Sequence, residues 1–320
     1  MNHLSKKFLA SLAVLGLLLA GCGAETAKTT KSKESTSQNS QSLEKQNQTK
    51  GVELTKLLGS TNWQGTKVYD DENNDVTEEN ANFIGLAKYD AETGHYEFFD
   101  AKTGDSREDA GTFFLTNDGT KRILLSETMN YQAVVEVTEL TNEQFTYKRK
   151  GKDHSGNEVD VFVEHIPYNE RELSFTNSST ERIKPTGTID TNEQGTAILA
   201  KTLWNGTRVV DEAGKDVTEA NRNFISLAKY DDATNKYEFF QLDTGESRGD
   251  FGYFSVLDHN QIRAHVSLGE NKYGVALPLT ELTPEKFTYT RMGKNNEGQD
   301  IRVFVEHEPY QGKLIPTFTF

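Results

Sequence analysis

The chain has 320 residues, with 49 acidic and 35 basic side chains and a formal net charge of -14. This acidic balance argues against binding nucleic acid and against adsorption to an anionic lipid surface by charge alone. A single cysteine, Cys22, excludes a disulfide within the chain.

The first 21 residues have the layout of a secretory signal. Lys6 and Lys7 precede an apolar run over 8–20, of about thirteen residues against the roughly 20 that a membrane-spanning helix needs. The run ends in Leu-Ala-Gly-Cys at 19–22, which resembles the lipobox of bacterial lipoproteins. That resemblance implies cleavage before Cys22 and acylation of its thiol. The protein is then anchored to the lipid bilayer on the extracytoplasmic face of the cell membrane, in a Gram-positive bacterium.

With Cys22 acylated, no thiol is left for catalysis or for a cysteine-ligated metal site. The cleaved signal itself offers a separate hypothesis. In some Gram-positive bacteria, signal fragments resembling 14–21 are secreted as hydrophobic peptide signals. Residues 22–52 follow with Thr, Ser, Gln, Asn, Lys and Glu, a composition that predicts a disordered tether.

The rest of the chain is a tandem duplication of one domain. Residues 61–113 align with 202–254 at an offset of 141, and after one inserted residue Val-Phe-Val-Glu-His at 161–165 recurs at 303–307. A period of this length is that of a domain and is too long for a solenoid repeat. We therefore expect homologous domains over 53–176 and 195–320, joined by a linker over 177–194.

Within one unit, short apolar runs alternate with turn residues, which predicts strands. A short helix is expected around 54–59. The predicted strands of the first unit are 65–70, 83–89, 96–100, 111–116, 121–126, 131–140, 144–149 and 159–165. Alternation places Val159, Val161, Val163 and His165 on one face of the last strand.

Eight antiparallel strands in sequential hairpins favour a closed up-and-down barrel, with a β-sandwich as the alternative. The fold class is therefore all-β, with two tandem eight-stranded barrels. The Trp-x-Gly-Thr opening resembles that of the calycin, or lipocalin-like, barrels. Together with Tyr-Glu-Phe-Phe, Ser-Arg-x-Asp-x-Gly and Val-Phe-Val-Glu-His, it resembles an uncharacterised domain family of Gram-positive lipoproteins. That resemblance implies location and architecture and assigns no activity.

Six polar residues, three from each unit, are the candidate ligand contacts: Arg107, Arg149, His165, Arg248, Arg291 and His307. Arg107 lies in a segment that reads as a turn, where a salt bridge to Asp109 is the structural alternative. Arg149 shares a face with Phe145 and Tyr147, so it either stacks on an aromatic ring or reaches a ligand. The alternative for His165 is a hydrogen bond at the barrel end.

The sequence favours non-catalytic binding of a small-molecule or cell-wall ligand by tandem β domains. One alternative is an envelope hydrolase using Asp109 and Asp250 or Glu164 and Glu306. Another is a structural or protein-interaction role. The remaining histidines are not shared between the units, so no metal and no cofactor is expected.

Overall fold

The computed structural model describes residues 50–176 and 181–320. Cys22 and all but the last residues of the predicted tether lie outside this part of the chain. The described residues belong to one compact unit and form two closed barrels, each of eight antiparallel strands in sequence order. The predicted fold class is confirmed, and the β-sandwich alternative is wrong.

The two barrels have the same succession of elements. Strands of the first barrel are β1 (Asn62–Asp70), β2 (Leu86–Asp90), β3 (His95–Phe99), β4 (Ser106–Leu115), β5 (Lys121–Ser126), β6 (Tyr131–Leu140), β7 (Phe145–Lys152) and β8 (Glu158–Tyr168). Strands of the second barrel are β9 (Trp204–Asp211), β10 (Leu227–Asp231), β11 (Lys236–Phe240), β12 (Ser247–Leu257), β13 (Ile262–Ser267), β14 (Gly274–Leu282), β15 (Phe287–Lys294) and β16 (Asp300–Pro309). Short 3₁₀ turns precede β2 (Ala81–Phe83) and β10 (Glu219–Phe224).

Side chains alternate between the interior and the exterior of each barrel, as the period of a strand requires. In β8, Val161 and Val163 are fully buried in the interior cluster that also contains Phe145 and Tyr147 of β7. The face assigned to β8 from sequence is therefore confirmed. Barrels of this strand number have interiors that side chains nearly fill.

One end of each barrel is closed by a short helix and a tryptophan. In the first barrel, helix α1 covers 50–59, and the Trp63 Nε1–H donates to the Leu58 carbonyl at 2.8 Å. In the second, helix α2 (Gly195–Ala200) precedes Trp204, whose Nε1–H donates to the Leu199 carbonyl at 2.7 Å. No helix within the described ranges is long and apolar enough to cross a bilayer. Because this end is filled, any interior space must open at the opposite end.

The segment after each last strand folds back over the outside of its barrel. Thr176 donates its backbone N–H, at 2.8 Å, and its hydroxyl to the buried carboxylate of Glu97, which also accepts from Ser106. In the second barrel, Thr319 makes the same two bonds to Glu238. A Phe-Thr pair at 175–176 and 318–319 thus extends the repeat beyond the matches found in the sequence.

Thr176→Ala is expected to lower the free energy of unfolding by about 1.5–3 kcal/mol, the usual worth of a hydrogen bond to a charged group. The change removes the hydroxyl donor to Glu97 and keeps the backbone donor. Thr176→Ser is the control, since it keeps the hydroxyl and should lose less than half as much. Urea unfolding followed by circular dichroism measures both. Equal losses in the two variants would show that the methyl group, and not the hydroxyl, carries the contribution.

The barrels pack against each other through the exterior faces of β4 and β5 and of β12 and β13. Asn117 binds the second barrel twice: its Nδ2 donates to the Asp232 carbonyl at 2.6 Å and its backbone N–H donates to Asn235 Oδ1. The apolar part of the contact, called the shared cluster below, consists of Phe114, Ile123, Leu125, Tyr253, Ala264 and Val266. Both faces of β5 are consequently buried.

Strand β4 begins five residues before its predicted start. The Ser-Arg-Glu-Asp segment at 106–109, expected to be a turn, is the bulged first part of the strand. Glu108 has a positive φ of 57°, and Gly249 at the equivalent position of β12 has 68°. A left-handed residue at a bulge allows its two neighbours to point to the same side of the sheet.

Candidate functional site

The end of the first barrel opposite helix α1 holds a cavity of about 260 Å³, called the first mouth cavity. Three arginines and one carboxylate line it: Arg107, Arg122, Arg149 and Asp109. Apolar and aromatic side chains supply most of the remaining wall, among them Phe98, Leu124, Ala133 and Tyr147. In a chain with a net charge of -14, this is a local concentration of positive charge in a wall of mixed polar and apolar side chains.

Arg122 lies deepest of the cations, with 3% of its surface exposed. Its Nη1–H donates to the Tyr89 hydroxyl at 2.6 Å, and its guanidinium lies over the Tyr147 ring, 4.3 Å from the ring centre. Burial raises the pKa of Tyr89 to about 12, so this acceptor is neutral. Among the described residues Arg122 has no ion pair, and its Nε has no hydrogen-bond partner. Arg122 is therefore a buried positive charge without an ion pair among the described residues, and Asp109 is the one carboxylate among the three arginines of the cavity wall.

Arg107 and Asp109 both face the cavity, but they do not pair with each other. Asp109 accepts hydrogen bonds from Ser126 at 2.8 Å and Tyr131 at 2.7 Å, and from Tyr96. Arg107 donates to the Asn82 carbonyl at 3.2 Å instead. The predicted loop salt bridge between Arg107 and Asp109 is therefore wrong. The positive φ at 108 turns both side chains toward the interior, and the Asp109 carboxylate accepts its hydrogen bonds from hydroxyl groups instead.

Arg149 and His165 complete the polar wall. The Arg149 guanidinium lies 3.9 Å from the centre of the Phe83 ring, so it both stacks and lines the cavity. His165 is packed between Phe145 and Tyr147, with ring centres 5.3 Å apart in each pair. Burial, and then the charge of Arg122, lower the pKa of His165 to about 3. This histidine is therefore neutral at physiological pH.

The depressed histidine pKa values predict acid sensitivity. His165 and His307 both titrate at about 3 in the folded chain and near 6.5 when unfolded. Between these pH values the two histidines bind protons in the unfolded chain and remain neutral in the folded chain. The free energy of unfolding should fall as pH drops below 6.5, by about 1.4 kcal/mol per pH unit for each histidine.

His165→Phe keeps an aromatic ring between Phe145 and Tyr147 and removes one of these contributions. Urea unfolding of this variant between about pH 6.5 and pH 5, above the range of most carboxylates, should show a shallower slope. Identical slopes in the parent chain and the variant would mean that His165 titrates alike in the folded and unfolded states.

The second barrel repeats this arrangement in a smaller space. Its mouth cavity measures about 70 Å³ and is lined by Arg248, Arg263, Arg291, Asp250 and His307. Arg263 is 2% exposed, donates to the Tyr230 hydroxyl at 2.9 Å and lies 4.2 Å from the centre of the Tyr289 ring. The structure thus brings the six residues proposed from sequence together in two homologous groups of three, one at each mouth.

Two features of the candidate site were not predicted from the sequence. Arg122 and its counterpart Arg263 are not among the six residues predicted from the sequence, although they lie at the centre of each group. Tyr131 and its counterpart Tyr273 hold the mouth aspartates and were also missed. Their retention in both copies, next to inward-facing apolar residues, was the available signal.

The carboxylates named for a hydrolase do not converge. Asp109 lines the first mouth cavity, whereas Glu164 lies on the exterior face of β8, where the Thr66 hydroxyl donates to it at 3.4 Å. Glycoside hydrolysis by two carboxylates needs both across one cleft. Residues 50–176 and 181–320 also contain no group of three or more His, Cys, Asp or Glu side chains placed to hold a metal ion.

Comparison with known proteins assigns the repeat to a family. The model described as "Domain of unknown function (DUF4822)" matches the chain twice, over residues 55–175 and 196–318. No curated protein matches the chain.

Among solved structures, a protein of unknown function from Nostoc punctiforme, of the DUF3598 family, is similar over 81% of this chain and 99% of its own, with 11% identity and a TM-score of 0.21. A proposed oleoyl thioesterase from Lactobacillus plantarum is similar over 87% and 89%, with 8% identity and a TM-score of 0.12. Likenesses this weak carry no argument about fold or function.

Proposed function

Because the chain belongs to the DUF4822 family, whose function is unknown, we propose its function from the site: the first barrel binds a small organic anion without transforming it. The observation that carries the proposal is Arg122, a buried guanidinium without an ion pair among the described residues. An arginine in this state costs several kcal/mol to bury. An anionic ligand that enters the cavity supplies the missing counter-charge.

The shape and lining of the first mouth cavity define the class of ligand. Its 260 Å³ is slightly below the range of about 300–1,000 Å³ usual for drug-sized ligands. Arg107 and Arg149 flank the opening, while Leu124 and Ala133 offer apolar surface. A carboxylate or phosphate ester with a compact apolar body satisfies both parts of this lining, because guanidinium groups bind either headgroup with two parallel hydrogen bonds.

We also propose that the protein is a lipoprotein, held on the extracytoplasmic face of the membrane through acylated Cys22. The support for this is the Leu-Ala-Gly-Cys sequence at 19–22 after a short apolar run. The anchor and the binding site are separate claims. In cells given an alkyne-labelled palmitate, the parent chain should incorporate label and sediment with membranes, whereas Cys22→Ala should do neither. Equal labelling of both proteins would refute the proposed anchor and would not bear on the proposed binding site.

Calorimetric titration of the purified chain tests the binding proposal. The probes are benzoate and phenyl phosphate, which share an aromatic body and differ in headgroup, and benzamide, the neutral match to benzoate. At least one anion should bind at least about tenfold more tightly than benzamide, a difference of about 1.4 kcal/mol. Its affinity should fall as salt rises, because chloride competes for the guanidinium groups and screens them. Equal affinity for benzoate, phenyl phosphate and benzamide, or no binding by either anion, would refute the proposal.

A further inference from the structure

The two mouth cavities are lined by equivalent arginines but differ greatly in volume. The first measures about 260 Å³ and the second about 70 Å³. Each has a buried arginine bonded to a tyrosine hydroxyl, and each has one aspartate held by a mouth tyrosine. The difference therefore lies in the other residues of the wall.

The differing positions include Gly85 of the first cavity, whose place Ser226 takes in the second, and one pair of neighbouring residues on two adjacent strands. On β5 and β6 of the first barrel, Leu124 pairs with Ala133 across the strands. At the same place on β13 and β14, His265 pairs with Val275. Val275 packs against the interior cluster and is larger than alanine, so it takes up more of the barrel interior next to His265.

His265 occupies the space that a ligand body would need. Its ring centre lies 5.1 Å from that of Tyr237, 5.5 Å from Tyr273 and 6.1 Å from Phe239. Its Nε2 is 3.3 Å from the Tyr273 hydroxyl, and only 4% of the residue is exposed. This ring is held by aromatic neighbours on several sides, so it is a fixed part of the wall.

The remaining volumes separate the two sites by ligand size. At about 30 Å³ for each water molecule in the liquid, the first cavity has room for roughly nine waters and the second for roughly two. A benzoate-sized body fits only the first. The charge in the second mouth persists, because Arg263 has no ion pair among the described residues.

We infer that the duplicated barrels are specialised: the first binds an organic anion, and His265 with Val275 close the second to any anion larger than one or two atoms. This inference rests on the proposed function. Leu124 and Ala133 are accordingly the residues that set ligand size in the first barrel, and His265 and Val275 are their restrictive counterparts in the second.

The number of probe molecules bound by each chain tests this inference. The titration uses benzoate or phenyl phosphate, whichever binds the full chain more tightly, and we expect one molecule per chain. The double variant His265→Leu with Val275→Ala should bind two. The reciprocal variant, Leu124→His with Ala133→Val, should weaken binding at least about tenfold.

Circular dichroism and urea unfolding establish that each variant is folded. If the double opening variant does not fold, the single change His265→Ala takes its place and should also add a second, weaker site. Two molecules bound by the parent chain would overturn the inference and leave the proposed function standing. Failure of both a folded opening variant and a folded closing variant to change binding would overturn it as well. No binding by the parent chain would refute the proposed function itself.

Discussion

Arg122→Met is expected to reduce binding of the organic anion at least about 100-fold, the equivalent of about 2.7 kcal/mol, because the paired charge-assisted bonds to the ligand are lost. The folded barrel should survive the change. Methionine fills a similar length of the interior, and the substitution removes a buried charge that has no ion pair among the described residues. Replacing buried charges by apolar side chains is often neutral or stabilising by about 1–4 kcal/mol.

One cost offsets this gain. The Tyr89 hydroxyl, which accepts from Arg122 at 2.6 Å, loses that bond, at a cost of about 1–3 kcal/mol. The double variant Tyr89→Phe with Arg122→Met should therefore be more stable than Arg122→Met alone. Urea unfolding gives the stabilities and calorimetric titration gives the affinities.

The second barrel provides a matched control. Arg263→Met makes the same chemical change at the equivalent position, next to Tyr230, and should leave organic-anion binding unchanged. Loss of binding in both variants would point to an effect on the whole protein. Retained binding in Arg122→Met would show that this arginine is structural and that the ligand lies elsewhere.

Trp63→Ala is expected to lower the free energy of unfolding by about 3–5 kcal/mol, as large aromatic truncations in a core usually do. Trp63 is fully buried where helix α1 closes the barrel. Its ring meets Phe145 edge-on with centres 5.8 Å apart, and its Nε1–H bonds to Leu58. The truncation therefore opens a cavity and removes the hydrogen bond that attaches the helix.

Trp63→Phe separates these two effects. It keeps an aromatic ring against Phe145 and removes the donor to Leu58, so it should lose less, roughly 1–3 kcal/mol. Chemical unfolding of both variants, followed by circular dichroism, gives the comparison. A loss under about 1 kcal/mol in Trp63→Ala would mean that the helix end collapses around the smaller side chain.

The fold could be predicted because its signals are local. Turn residues separate eight short runs in the first unit, so the number of strands could be predicted, and their sequential hairpins favoured a closed barrel over a β-sandwich. The start of β4 could not be predicted from the first copy, since Glu108 gives no sign of its positive φ. Its counterpart Gly249 does give that sign, because glycine takes a left-handed conformation at little cost.

The centre of the site was harder to predict. In β5, Arg122 and Leu124 face the interior, but Ile123 and Leu125 on the opposite face are buried against the other barrel. Alternation therefore could not show which face of this strand points into the barrel, and Arg122 could not be assigned to the interior. Arg149 and His165 were easier to assign to the interior, because each lies on the apolar face of a strand that has only one such face.

The shared cluster also determines how the two barrels respond to heat. Unfolding one barrel alone would expose the apolar surface that Phe114 and Leu125 present to the other, at about 25 cal/mol for each Å² of that surface. Melting of one domain therefore removes support from its neighbour. If the first barrel alone binds an anion, as proposed, that ligand should also raise the unfolding midpoint of the second barrel, which has no ligand of its own.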